Sequence, residues 1–303
     1  MPDETGFLQA KSNHTHARLP MKNIIPTGRI PPSDYLCEMM EKLPKNFADR
    51  AALIDYVRAL SPELADAPVS QTVGGRQAGA ARLAQLDAQS YGSSRNYLDG
   101  AVSYLSPYIR HGIVTLNETR NLAIQQGAPK QVEKFVQELA WRDFWQRVYH
   151  QSPAKIWRDI EPYKTGYSAD HYATELPEDI RQARTPSAAM NFFIKQLIDT
   201  GYLHNHARMY LAAYIVHWRH IAWQAGAQFF LQHLLDGDPA SNNLSFQWVA
   251  STFSNKPYFF NLENLQKFAG SVAPCAAHDN VDFDDSYDAL AARLFPHSEA
   301  LNG

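Results

Sequence analysis

The chain has 303 residues, of which 45% are hydrophobic, 19% charged and 12% aromatic, values that are typical of a soluble globular protein and exclude global disorder. A formal net charge of −3 gives no overall attraction to nucleic acid, so such binding requires a local patch. Two cysteines, Cys37 and Cys275, are too few for a disulfide framework or a cysteine-ligated metal cluster, which favours a reducing, cytoplasmic compartment.

The first 32 residues are polar and interrupted by prolines, which predicts a flexible lead without a signal peptide. We expect the folded domain to span residues 33–303. The longest useful apolar run, at residues 209–216, is much shorter than the ~20 residues of a membrane helix. The sequence therefore predicts no membrane span.

Apolar residues spaced three and four apart predict an all-α fold. The predicted helical stretches are residues 74–89, 129–151, 187–201 and 204–237. Gly201 and Gly237 are suited to end the last two, and Gly226 is a place for the last to bend. Four prolines between residues 153 and 186 predict a helix-poor connector, and Pro239 is suited to begin another short helix. There is no βαβ alternation or glycine fingerprint of a dinucleotide-binding sheet.

Two polar segments lie among aromatic residues, TGYLHNHARM at residues 200–209 and LLDGDPASNNLSFQW at residues 234–248. Buried polar groups need partners, so these side chains either lie at the surface or converge on a polar ligand. The candidates are His204, Asn205, Arg208, Asp236, Asp238 and Asn242. From the pattern alone, a solvated Asn–Arg pair and a DGD helix-end turn are equally ordinary interpretations.

In QELAWRDFW, helical spacing brings Glu138, Trp141, Arg142 and Trp145 onto neighbouring faces. One interpretation places the tryptophans in the core and pairs Glu138 with Arg142 on a wet face. The other is a carboxylate beside indole rings in a binding site. A metal held by the histidines at 204 and 206 has no third ligand at helical spacing, so no metal site is predicted.

Taken in order, four segments resemble the flavin-binding domain of the DNA photolyase and cryptochrome family. They are LSPYIRHG at residues 105–112, QELAWRDFW, TGYLHNHARM and LLDGDPASNNLSFQWVAS. Order and approximate spacing are similar from about residue 91 to residue 268. Members of the family carry an α/β antenna domain ahead of this helical domain. No such domain is apparent in this sequence, so we expect no antenna chromophore.

The resemblance implies a bent, buried FAD. The residues at the matching positions are Tyr91, Ser103, Ser106, Arg142, Asn205, Arg208, Asp236, Asp238 and Asn242. By the family pattern the first three lie at the phosphates, and the Arg142 side chain supports the phosphate and ribityl region. Arg208 and Asp236 are expected to pair, which would offset the cost of burying each charge. Asn242 matches the position that faces flavin N5.

The resemblance also implies a substrate pocket, in which Trp141 and Trp248 enclose a flipped-out pyrimidine dimer. Glu138 matches the carboxylate that binds the dimer and is expected to donate a hydrogen bond or be protonated, while Asn205 and Met209 form walls. The implied catalytic residues are Glu138, Trp141, Met209, Asn242 and Trp248. The expected activity is light-driven repair of cyclobutane dimers in damaged, single-stranded DNA by a monomer. The alternative is a cryptochrome-like photoreceptor or an FAD-containing DNA-binding protein without efficient repair.

One departure concerns the tryptophan triad that photoreduces flavin in the family. Its position nearest the flavin is Phe246 here, the middle position matches Trp223, and the third has no tryptophan. Phenylalanine is much harder to oxidise than tryptophan, so we expect slow photoreduction. For the DNA itself, an acid-poor stretch at residues 187–235 makes Lys195 and Arg219 candidates for phosphate contacts.

Overall fold

The computed structural model describes residues 43–62 and 66–298. The chain divides into two compact units, residues 1–66 and 67–303. In the first unit, helix α1 (Arg50–Leu60) begins after Asp49, whose carboxylate accepts a hydrogen bond from the Ala52 backbone N–H at 2.9 Å. The predicted lead at residues 1–32, the predicted domain start at residue 33 and Cys37 lie outside the described residues.

The described part of the second unit is all-α, which confirms the predicted fold class. It contains a single isolated bridge, between Ala173 and Ile221, and no β-strand. No described helix is both long and apolar enough to cross a membrane. The helices are α2 (Arg76–Ala84), α3 (Ala88–Ser94), α4 (Ser106–Arg110), α5 (Leu116–Gln126), α6 (Pro129–Gln151), α7 (Glu178–Arg181), α8 (Ala188–Thr200), α9 (Asn205–Ala213), α10 (Trp223–His233), α11 (Pro239–Ala250), α12 (Leu262–Ala269) and α13 (Tyr287–Leu294).

Three predicted elements are confirmed. The stretch 129–151 coincides with α6, and α8 ends at Gly201, whose φ of 68° is the left-handed C-cap conformation. The connector between α6 and α8 contains only short helical turns. The predicted helix at 74–89 is wrong in its second half, because α2 stops at Ala84 and Asp87 caps a separate helix by accepting from the Ser90 N–H at 2.9 Å.

The single long helix predicted at residues 204–237 is also wrong. Helix α9 passes into a π-helical turn at Tyr214–Trp218, and the helical path is then interrupted at His220, whose φ is 47°. Gly226 is not a bend but lies inside α10, where an added Cβ would stand 2.7 Å from the Phe246 ring. Helix α10 ends at His233, before Gly237.

The main core is formed where α8, α9, α10 and α11 pack together. Its largest fully buried side chains include Trp223, Tyr210, Tyr214, Phe193 and Phe230. The long helix α6 packs against α3, α5 and α11. As predicted, α11 begins at Pro239, so α6, α9 and α11 each present side chains to one shared cavity.

Candidate functional site

A cavity of about 530 Å³ lies between α6, α9 and α11 and the segment that leads into α4. Its size falls within the ~300–1,000 Å³ that is usual for small-molecule and cofactor sites. All thirteen side chains that the family resemblance assigns to the cofactor or the substrate line it, so segments distant in sequence converge in space. They are Tyr91, Ser103, Ser106, Glu138, Trp141, Arg142, Asn205, Arg208, Met209, Asp236, Asp238, Asn242 and Trp248.

An ion pair between Arg208 and Asp236 lies at the polar end of the cavity. The guanidinium Nη2 is 2.7 Å from Asp236 Oδ2, and Arg208 Nε donates to the Leu203 carbonyl at 2.8 Å. Burial alone would raise the pKa of Asp236, but the charge and hydrogen bond of Arg208 outweigh burial and lower it. The predicted pairing is confirmed. The other oxygen, Asp236 Oδ1, is buried and has no hydrogen-bond partner among the described residues, which leaves an acceptor for a ligand.

Asp238 is held between two helices. Its Oδ1 accepts from the Ala240 N–H at 2.9 Å and caps α11, while its Oδ2 lies 3.2 Å from Arg142 Nη2 and accepts from Gln146 Nε2. Both aspartates of the DGD segment are buried, and Gly237 does not have the positive φ of a helix-ending glycine, so the interpretation of this segment as a helix C-cap is wrong. Gln146 was not predicted, although it follows Arg142 by four positions and therefore shares its helix face.

Glu138 accepts from two cations at the cavity wall. Arg95 Nη1 lies 2.6 Å and Lys134 Nζ 2.8 Å from its Oε1. The alternative pairing of Glu138 with Arg142 is therefore wrong, because Arg142 pairs with Asp238, whereas hydrogen-bond donation from Glu138 to the dimer, directly when protonated or through relayed groups, stays a prediction. Neither cation was predicted. The i,i+4 spacing of Lys134 and Glu138 could have indicated their ion pair from the sequence. Arg95 likewise follows Tyr91 by four residues and lies over its ring at 5.8 Å.

Exposed indole rings surround the cavity mouth. Trp141 is 49% exposed and Trp248 41% exposed, so the interpretation of these rings as buried core is wrong. Trp145 stacks on Trp141 with ring centroids 5.2 Å apart and an interplanar angle of 28°. Trp248 packs at 5.7 Å against the ring of Tyr258. Flat apolar faces beside a polar cavity suit a ligand that carries planar rings.

The remaining polar groups of the wall are neutral. Asn242 Nδ2 donates to the Ala227 carbonyl at 3.0 Å and to Asn243 Oδ1 at 2.9 Å. These bonds fix the amide, and no described residue donates to its carbonyl oxygen. Asn205 Nδ2 lies 3.8 Å from the Met209 sulfur, so these two side chains contact each other at the wall.

The deeper wall of the cavity contains Phe246, which is buried and meets Phe230 edge-on at 4.9 Å. Trp223 is fully buried and does not line the cavity. Its indole N–H donates to Asp159 Oδ1 at 2.6 Å. The ring at the cavity wall is therefore a phenylalanine, and the tryptophan at the middle position of the predicted series does not line the cavity.

Several other sequence candidates lie outside the cavity. His204 Nδ1 accepts from the His206 N–H at 3.0 Å and serves as the N-cap of α9. No group of three or more metal-binding side chains occurs in the part of the chain that the structure describes. Lys195 and Arg219 do not line the cavity, and Arg219 is paired with Asp179 at 2.8 Å.

Comparison with known proteins identifies related sequences. The family model described as the FAD binding domain of DNA photolyase matches residues 135–287. The chain is 34% identical over 205 residues to deoxyribodipyrimidine photo-lyase of Streptomyces griseus, covering 65% of this chain and 42% of that protein. It is 28% identical over 237 residues to deoxyribodipyrimidine photo-lyase of Agrobacterium fabrum, covering 72% of this chain and 45% of that protein. The chain thus spans less than half the length of these relatives.

The fold is similar to those of solved structures in the same group. A bacterial class III photolyase from Agrobacterium tumefaciens superposes with a TM-score of 0.57 at 21% identity, over 84% of this chain and 52% of that chain. A cryptochrome from Synechocystis sp. PCC6803 superposes with a TM-score of 0.59 at 20% identity, over 76% and 52% of the two chains. At these identities the superpositions establish the shared fold.

Proposed function

This chain belongs to the photolyase/cryptochrome family and carries its FAD-binding domain, and we propose that it binds damaged single-stranded DNA and repairs cyclobutane pyrimidine dimers under blue light. One observation carries the proposal. The two exposed indoles, Trp141 and Trp248, and the carboxylate of Glu138 line the same cavity as the Arg208–Asp236 pair. A cofactor and a substrate base would therefore share one space.

The cavity residues fit the polar groups of FAD. Ser103 and Ser106 lie where the chain enters α4, and hydroxyl and backbone N–H groups suit phosphate oxygens. The Arg142 guanidinium supplies positive charge nearby. The unsatisfied Oδ1 of Asp236 suits an N–H or O–H donor, and the fixed amide of Asn242 presents its carbonyl oxygen. We propose that the nine residues inferred from the family pattern hold the flavin. When bound in its reduced form, the flavin supplies a light-driven electron donor.

The chain's own contribution to repair is to bind the lesion and exclude water. A dimer extruded from the strand loses stacking with its neighbours, and stacking on aromatic side chains contributes ~1–3 kcal/mol per base. We assign this contact to the indole faces of Trp141 and Trp248. Met209 and Asn205 complete the wall, and Glu138 holds Arg95 and Lys134 at the position where the base carbonyls would lie. The preference for a single strand rests on extrusion being least costly where no partner strand must be opened.

An illuminated repair assay tests the proposal. Purified protein with reduced FAD is mixed with oligonucleotides carrying one thymine dimer, single-stranded or duplex, and dimer loss is measured in light and in darkness. We expect light-dependent repair that is faster on the single strand. Lesion binding without repair favours a sensory or DNA-binding role instead, and absence of both binding and repair contradicts the proposal. The monomeric state and cytoplasmic location remain predictions.

A further inference from the structure

A series of aromatic rings in contact with one another continues beyond the cavity mouth, and the proposed lesion pocket assigns them no role. Phe144 is 43% exposed and lies 5.7 Å from Trp141 and 5.2 Å from Trp145. Trp145 in turn contacts Phe253 at 5.7 Å. Phe144 and Phe253 do not line the cavity, whereas Trp145 does. We call Phe144, Trp145 and Phe253 the rim cluster.

The loop that contains Phe253 also holds the backbone of Lys256, an exposed lysine without an ion pair among the described residues. The Ser254 hydroxyl bridges the Trp248 carbonyl at 2.7 Å and the Lys256 carbonyl at 2.8 Å, which ties the backbone of Lys256 to that of the exposed indole. The loop is closed further by the Phe253 N–H, which donates to the Gln247 carbonyl at 3.2 Å. Lys256 is exposed, and no ion pair joins it to any residue that the structure describes.

Exposed ring faces and a lysine in the adjoining loop match the repeating chemistry of a single nucleic-acid strand. Bases of any sequence stack on aromatic faces, and ammonium groups contact the phosphates between them. The position of the rim cluster also indicates which nucleotide of the strand would bind there. The rim cluster is continuous with Trp141 through two ring contacts, so a strand whose dimer enters the cavity carries its neighbouring nucleotide over these rings.

We propose that the rim cluster is a stacking subsite for the nucleotide next to the lesion in single-stranded DNA, and that Lys256 contacts the adjoining phosphate. This inference rests on the proposed function, because the dimer in the cavity sets the register of the strand. In a duplex the neighbouring base is stacked and paired, so it is not available to these rings without further opening. The subsite therefore makes binding of the lesion stronger on a single strand.

Abasic substitution tests the stacking contact. Affinity is measured for single-stranded oligonucleotides in which a thymine dimer has a normal or an abasic nucleotide on its 5′ or 3′ side. We expect one of the two abasic oligonucleotides to bind the parent protein about fivefold or more weakly. Phe144→Ala should weaken binding of the intact oligonucleotide to a similar degree. The variant should lose little further affinity with the abasic oligonucleotide, since both changes remove the same contact.

Two variants separate stacking from folding. Phe144→Leu keeps an apolar side chain against Trp141 but lacks a ring face, so it should behave like Phe144→Ala, whereas Phe144→Tyr should retain parental affinity. Tyr287→Ala is the matched control, because Tyr287 is a 42% exposed ring that does not line the cavity. Equal abasic losses in the parent and in Phe144→Ala, or parental affinity in Phe144→Leu, would overturn the proposal.

The phosphate contact has its own readout, the salt dependence of binding. Lys256→Ala should reduce the slope of log affinity against log salt concentration by ~0.7, the value for one phosphate contact on a single strand. Lys130→Ala, at an exposed lysine in the first turn of α6, should leave the slope unchanged. The reverse result would overturn the assignment. If the parent protein does not distinguish dimer-containing from undamaged oligonucleotides, the proposed function fails; if it does but the rim variants behave as the parent, only the subsite fails.

Discussion

Arg208 donates to Asp236 across 2.7 Å at the closed end of the cavity, and only 4% of the Asp236 side chain is exposed. The charge and hydrogen bond of Arg208 are the largest influences that lower the pKa of Asp236 against the effect of burial, and its second oxygen has no hydrogen-bond partner among the described residues. Arg208→Ala should leave an uncompensated buried carboxylate and lower the free energy of unfolding by ~3–5 kcal/mol, measured by urea denaturation. FAD content per chain should fall in the same variant.

The exposed pair Arg147–Asp143 provides the control for this prediction. These side chains are 73% and 50% exposed at a separation of 2.7 Å, so Arg147→Ala should cost no more than ~1 kcal/mol. The double variant Arg208→Ala, Asp236→Asn should lose less than Arg208→Ala alone, because no unpaired charge remains. Equal losses in all three would contradict the role assigned to the pair.

Trp141 should matter for the lesion and not for the cofactor. Its ring is half exposed at the cavity mouth, and it makes no hydrogen bond to the Arg208–Asp236 end. Trp141→Ala should weaken binding of dimer-containing single strands about 5- to 150-fold, which corresponds to ~1–3 kcal/mol of stacking, with FAD content unchanged. Binding is measured by fluorescence anisotropy and flavin by absorbance after denaturation. Loss of flavin together with binding would assign the ring to the cofactor.

Glu138 should affect repair more than binding. Its carboxylate holds Arg95 and Lys134 together at the cavity wall, at 2.6 and 2.8 Å. Glu138→Gln keeps the size of the side chain but removes the charge that fixes both cations, so repaired dimers per absorbed photon should fall while dimer affinity changes little. Lys134→Ala is the matched control, since Arg95 still pairs with Glu138 in that variant. A proportional loss in binding and repair would show that Glu138 only supports the fold.

Stability should fall on mild acidification because two histidines are buried without charge. Burial lowers the pKa of both His204 and His217 to about 4. The unfolded chain binds protons at the ordinary pKa near 6.5, so between pH 6.5 and about 4 the unfolded state holds more protons than the native state. Stability present above pH 6.5 is therefore lost as the pH falls, by ~1.4 kcal/mol per pH unit for each histidine.

His217→Asn isolates one of these contributions. The His217 ring bonds the Val249 carbonyl through Nε2 at 3.0 Å, and its Nδ1 has no partner among the described residues. The variant should be less stable at pH 7 but should show a smaller difference in unfolding free energy between pH 7 and pH 5 than the parent. His278→Asn, at a side chain that is 82% exposed, should leave that difference unchanged. An unaltered difference in His217→Asn would contradict the assignment.

The sequence was sufficient to predict the helical fold class and the residues that share the cavity, because both follow from patterns that can be recognised in the sequence itself. The helix at residues 129–151 has apolar residues spaced three and four apart, and the polar segments match a known order. The break at His220 was not predictable, since it arises where a π-helical turn and a positive φ are stabilised by tertiary packing. Likewise, Arg95 meets Glu138 across 43 residues of sequence, and only the fold brings them together.

Phe246 lines the cavity and Trp223 does not, and this difference should distinguish repair from light sensing. Phenylalanine resists oxidation, so blue light on the oxidised protein should reduce flavin slowly even with an external thiol. Repair by protein reduced chemically beforehand does not require Phe246 to pass an electron. Rapid photoreduction in the parent would reveal another path, through Tyr214 or Trp218, and would favour a photoreceptor.

Phe246→Trp should accelerate photoreduction, because it places an oxidisable ring at the cavity wall. The site is tight, since Gly226 and Phe230 both contact the existing ring, and a larger ring should cost ~1–3 kcal/mol of stability. Photoreduction rates of parent and variant are compared at equal flavin content, light and thiol concentration. The double variant Phe246→Trp, Trp223→Phe tests the path, because it keeps the new indole but removes the next one and should return the rate toward that of the parent. If Phe246→Trp retains flavin and is no faster than the parent, the phenylalanine is not the barrier, and the missing third ring limits the reaction instead.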